Sequence, residues 1–209
     1  MIATFVPRAL LQQHYNAFEA HVGQQSPAPN RADPTYTVPL GEELTVFHSR
    51  TVPPCSLWDM ACVVQKSLRI EDTLLAAALV LARRFDATSR VVTAHMVHRL
   101  YAACLQVAMK AHSDVFYSNK CYAAAVGVPL SEMNRLEKEL LESLGWRVQV
   151  TAQEVEELPT GESLDSPRSQ PSSPTCCPSK RYSEVPQCVA HHGYVPSDYL
   201  VRSRDTDVV

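Results

Sequence analysis

Glycine is scarce in this chain, with six in 209 residues, and between residues 55 and 158 only Gly127 and Gly145 occur. That window therefore holds no glycine-rich loop able to cradle a phosphate. The dinucleotide and Walker-type fingerprints, the G-x-S-x-G elbow and the H-E-x-x-H zinc signature are all missing. The chain accordingly reads as a non-enzyme, with no catalytic residue and no cofactor. Charge of one sign is lacking too. The formal net charge is -3 and no segment is strongly basic. A nucleic-acid partner is therefore not expected. No apolar run approaches the roughly 18 residues of a membrane helix. The N-terminus has no basic segment followed by an apolar one, so no secretory signal is read. The seven cysteines follow no framework spacing. Together these features give the expectation of a reduced, intracellular protein of the cytoplasm or nucleus.

Proline is missing from the middle of the chain but not from its ends. Seven of the 15 prolines lie in residues 1–54, one in 55–158 and seven in 159–209. Proline breaks helix interiors, so its absence from the central window permits long helices. The division expected is an N-terminal arm with a short amphipathic helix (1–54), a folded domain (55–158) and a mostly disordered tail (159–209), rich in Pro and Ser.

Periodicity fills the central window with helices. Leu57, Met60, Ala61, Val64 and Leu68 make one stripe after Ser56, which with Asp59 resembles a capping box. A second helix is expected over about 72–84, capped by Asp72 or Thr73. A third, over about 93–112, is apolar nearly all round between Leu100 and Met109, the mark of a central helix. Its polar exceptions, Arg99, Gln106 and Lys110, lie on one stripe. A short helix is expected over 119–126, with Ser118 as cap and Gly127 as stop. Another is expected over 131–144, starting at Leu130 or Ser131 and stopped by Gly145. Thr151 and Glu154 predict one more capped turn. In the arm, Leu10, His14, Phe18 and Val22 predict a helix after Pro7. The fold class is all-α.

Several polar residues admit two readings. Lys110 ends an apolar helix and Glu137 sits at the edge of an apolar face. A charge beside a core is costly without a partner. The two either pair with each other, or the lysine snorkels while the glutamate sits on a solvated rim. Arg99 either fixes packing through a buried acid or touches a ligand. Asp114 and Asn119 either cap the short helix or its preceding turn, or form a rim contact. Trp146 either closes the core or anchors an interface. His95 and His98 are spaced three apart with no third ligand. Cys176, Cys177, Cys188, His191 and His192 match no zinc-finger spacing, so no metal is expected.

The run from Lys110 to Glu137 carries a resemblance. Lys110, Asp114, Asn119, Ala125-Val126-Gly127 and Glu132-Met133-Asn134-Arg135-Leu136-Glu137 resemble the cyclin box of the P/U-type cyclins. His98-Arg99-Leu100 is similar to the start of the same family's third box helix, and the stretch from Leu79 to Phe85 to the end of its second. Gly127-Val128 stands where the family has Gly-Gly. The resemblance implies a five-helix cyclin box with a cyclin-dependent Ser/Thr protein kinase as partner in a heterodimer. It further implies that Lys110 and Glu137 contact the kinase, with Leu141, Trp146 and Val148 as apolar anchors. Arg99, Asp114, Asn119, Gly127 and Asn134 fall to structural or capping roles. Cell-cycle or nutrient and phosphate signalling is the process implied. A cyclin-box adaptor with a non-kinase partner is the alternative. Outside the box, Ser26, Ser166 and Ser173 each precede a proline, as sites of proline-directed phosphorylation do, although solvated linkers also carry Ser-Pro by composition.

Overall fold

The structure is a computed structural model that describes residues 6–25, 45–88, 91–160 and 200–202. The phosphorylation candidates Ser26, Ser166 and Ser173, the tail Cys/His cluster and most of the tail itself lie outside the described residues.

Among the described residues, seven helices account for nearly all the regular structure: α1 (Arg8–Gln25), α2 (Leu57–Leu68), α3 (Asp72–Asp86), α4 (Val97–His112), α5 (Asn119–Val126), α6 (Leu130–Ser143) and α7 (Ala152–Glu156). Two short strands, β1 (Val115–Tyr117) and β2 (Leu200–Arg202), pair antiparallel, with Phe116 opposite Val201. No strand was anticipated at either place.

The hydrophobic patterns decide the packing. Every residue of α4 from Val97 to Met109 is buried except Arg99. A helix apolar on all sides has to be surrounded, and α4 packs against α2, α3, α5 and α6. Its closest companion is α3, whose run from Leu74 to Ala82 is entirely buried. The alanines at 76, 77, 78 and 82 are buried within that run. The fold is thus all-α, as the periodicity predicts.

The arm is part of this core. Leu11, Tyr15, Phe18 and Val22 of α1 are buried against α2 and α3. The Tyr15 hydroxyl meets that of Tyr101 on α4, and the Tyr15 ring lies edge-on to both Tyr101 and Trp58. Residues 45–51 form a strap across α3 and α4. Phe47 is fully buried and stacks edge-on against Phe85, with ring centroids 5.2 Å apart.

Helix ends differ from expectation in places, for local reasons. Helix α4 begins at Val97, not at Thr93. The strap takes the His95 carbonyl, which accepts from both the Ser49 N–H and its hydroxyl, and so is not spent on a helical bond. The N-cap of α3 is Glu71, without a side-chain cap bond. Asp72, expected there, instead accepts from Arg8 and Gln65. Two caps form as read: Ser56 accepts from the Asp59 N–H, and the Thr151–Glu154 capping box closes in both directions. Gly127 ends α5 with φ +79°, a left-handed conformation that a Cβ would strain.

Candidate functional site

The site is assembled where the C-terminal end of α4 meets α5 and α6. Lys110 stands in the last turn of α4, where the helix dipole favours a cation. Its Nζ donates to Glu137 Oε1 at 2.5 Å and to Asn119 Oδ1 at 2.6 Å. Glu137 Oε2 accepts from Asn119 Nδ2 at 2.7 Å and from Gln106 Nε2 at 3.3 Å. Asn119 Nδ2 also donates to Asn134 Oδ1 at 2.7 Å. The side chains of Lys110 and Glu137 keep 27% and 16% of their surface. The pair is therefore largely desolvated yet still reachable from outside. Of the two readings open for these residues, the structure has the paired one.

Asn119 is not a cap. It occupies the first position of α5 after the N-cap residue Ser118, which makes no side-chain cap bond, and its side chain turns to Lys110, Asn134 and Glu137. Sequence reasoning missed this bridging role, because nothing in spacing distinguishes a capping asparagine from one that links three helices. Asp114 lies exposed ahead of β1, four residues before that N-cap, and does not cap α5. Arg99 pairs with Glu132 and donates to the Val46 carbonyl at 2.9 Å. Its acid partner is half-buried rather than buried, since it lies at the first turn of α6.

The apolar residues continue the same face. Leu141, half-buried, is one turn beyond Glu137 on α6. The helix then ends with Gly145 at φ +56° and Trp146 at φ +61°. The Trp146 N–H bonds back to the Leu141 carbonyl at 2.9 Å, in the manner of a Schellman cap. A left-handed backbone is unusual for so bulky a residue. It leaves Trp146 69% exposed, so the indole does not close the core. Val148 is half-buried, and its carbonyl lies 3.2 Å from His112 Nε2, two residues after Lys110. The same nitrogen is 3.2 Å from the Val150 N–H. It accepts that N–H or donates to the Val148 carbonyl, according to where its proton sits. Burial, with help from nearby Arg84, pushes His112 below its ordinary 6.5 and favours the neutral ring.

No group of three or more His, Cys, Asp or Glu side chains suited to a metal exists among the described residues. Cys104 is buried, and burial pushes its thiol up, which disfavours the nucleophilic thiolate. No helix among the described residues is long and apolar enough to cross a membrane.

A family model described as Cyclin matches residues 8–148, so the match includes α1. Cyclin-P3-1 of Oryza sativa subsp. japonica is 34% identical over 112 residues, covering 53% of this chain and 48% of its own. Cyclin-U1-1 of Arabidopsis thaliana is 29% identical over 134 residues, covering 63% and 64%. PHO85 cyclin-6 of Saccharomyces cerevisiae is 35% identical over 66 residues, covering 32% and 16%. The chain thus spans less than two thirds of each of these relatives. With the model matched from α1 through Val148 and relatives of the P, U and PHO85 types, the chain belongs to the cyclin family, as a single-box member of P/U type.

Proposed function

We propose that this protein is the regulatory subunit of a cyclin-dependent Ser/Thr protein kinase, which it binds as a heterodimer and activates. The observation that carries the reading is Trp146. A large indole, 69% exposed on a left-handed backbone, contributes little to the fold of the isolated chain. Aromatic side chains of this kind are enriched among residues that dominate binding energy. Beside it, Leu141 and Val148 supply apolar surface, and the Lys110–Glu137 pair supplies charge-assisted bonds for exposed backbone groups of a partner.

Activation follows from selection. A kinase whose regulatory helix moves between two placements is shifted toward the one that this face binds better. The chain itself performs no chemistry; the kinase supplies the nucleotide and metal sites. Cell-cycle or nutrient signalling is the proposed process, in the cytoplasm or nucleus. Phosphorylation at Ser26, Ser166 or Ser173 belongs to the same proposal, as regulation of the subunit.

The test is affinity purification of the full chain from its own cells, with kinase activity assayed in the eluate. A cyclin-dependent kinase should be enriched with the unaltered chain and lost with Glu137→Lys and with Trp146→Ala, while both variants keep their helical circular dichroism. Enrichment of some other protein in place of a kinase, by this same face, would overturn the reading in favour of an adaptor.

A further inference from the structure

Lys110 and Glu137 are not independent side chains waiting for a partner. Asn119 commits every hydrogen-bonding group of its amide to its neighbours. Its oxygen accepts from Lys110 at 2.6 Å, and its nitrogen donates one hydrogen to Glu137 at 2.7 Å and the other to Asn134 at 2.7 Å. The amide cannot turn over without losing all three bonds, because donor and acceptor would exchange places. It joins α4, α5 and α6 at the point where the pair meets solvent.

The groups beneath the pair are strongly desolvated. Gln106, one turn before Lys110 on α4, is fully buried, and its Nε2 gives Glu137 Oε2 a second donor at 3.3 Å. Tyr122, one turn after Asn119 on α5, is 1% exposed. The Gln106 Oε1 and the Tyr122 hydroxyl have no partner among the described residues. A buried polar floor is expensive to keep, and it stiffens what it supports.

We infer that Asn119, backed by Gln106, is a positioning residue that presets the Lys110–Glu137 pair for its partner, so that Glu137 acts as a clamp and Lys110 as the outward donor. Both Glu137 oxygens already accept, Oε1 from Lys110 and Oε2 from Asn119 and Gln106. Lys110 has three N–H groups and two acceptors among the described residues. One N–H therefore remains for a group that accepts. The surface matched by this arrangement is one offering an unpaired oxygen, such as the backbone carbonyl at a helix end. A preset pair binds more tightly than a mobile one because less side-chain freedom is lost on association. The inference rests on the reading of Lys110 and Glu137 as partner contacts, but the state of the pair in the free chain is a separate matter and is measured separately.

The first measurement is nitrogen NMR of the free, full-length chain. The Asn119 side-chain amide should exchange slowly with solvent, and the Lys110 ammonium should give a resolved signal that disappears in Asn119→Ala. A fast-exchanging Asn119 amide, or a Lys110 signal unaffected by Asn119→Ala, would overturn the inference whatever the partner proves to be. The second measurement is affinity for the co-purified kinase. Asn119→Ala should weaken it on the order of tenfold. Ser56→Ala, which removes a helix cap on α2, should leave it unchanged. In a double-mutant cycle, Asn119→Ala should lose most of its effect once Lys110 is already alanine. Equal effects in both backgrounds would show that Asn119 only supports the fold. If kinase binding is abolished by Glu137→Lys but indifferent to Asn119→Ala, the positioning role fails and the proposed function stands.

Discussion

Replacing Glu137 with alanine should destabilise the free chain through a residue that the partner never touches. Gln106 is fully buried, and Glu137 Oε2 is its one acceptor among the described residues. Removing that carboxylate leaves a buried amide with no partner on either side, since Gln106 Oε1 already lacks one. An orphaned buried donor costs about 1–3 kcal/mol. Lys110 keeps Asn119 and part of its solvent contact, so the lost ion pair adds only about 1 kcal/mol. The total expected is about 2–4 kcal/mol. Urea denaturation followed by circular dichroism reads it as a lower midpoint at unchanged slope. The argument has an internal control. Gln106→Leu removes the amide altogether and should by itself be close to neutral. In that background Glu137→Ala should cost about 1–3 kcal/mol less than in the unaltered chain, the orphaned-donor contribution having gone. If the two substitutions prove additive, the Gln106–Glu137 contact carries no energy and the reasoning is wrong.

Three further outcomes are expected. Stability should fall as pH drops below about 6.5. Burial lowers the folded-state values of His98 and His112 beneath their ordinary 6.5, so the unfolded chain takes up protons first. The two histidines thus favour the folded state fully above that range, and urea midpoints measured at intervals from pH 8 to 5 should decline, less steeply in His98→Gln. Phe47→Ala should cost about 3–5 kcal/mol in thermal or urea unfolding, as for a core aromatic, although residue 47 precedes the predicted domain. Trp146→Gly should hold or raise the urea midpoint, because glycine accepts φ +61° without strain, while the same change abolishes kinase recovery.

The helices of the central window were legible because their signals are local. Leu57 to Leu68 and Met133 to Leu140 repeat with the period of a helix, and the all-apolar stretch ahead of Lys110 announced its own burial. The pairing of Lys110 with Glu137 was open on spacing alone, since the two are 27 residues apart and either could have faced water. What stayed hidden was set by long-range contacts. Phe47 follows a proline-rich stretch with no periodicity, and its place in the core depends on residues far along the chain, the ring of Phe85 among them. Asn119 looks like any residue at the start of a helix until Lys110 and Glu137 arrive from two others. Trp146 was ambiguous for another reason: its exposure follows from two successive left-handed residues, and only the first is a glycine.

The edge-on meeting of Tyr15 with Tyr101 has a consequence in time as well as in space. The two hydroxyls are separated by 86 residues of chain. During synthesis α1 leaves the ribosome long before α4 exists, at a rate of about 5–20 residues per second. For several seconds Leu11, Tyr15, Phe18 and Val22 have no surface to cover, whereas α3 and α4 can pair almost as soon as both have emerged. Helix α1 then has to wait for α2 and α3, which bury its apolar face, and a nascent chain stalled ahead of those two helices carries that face uncovered.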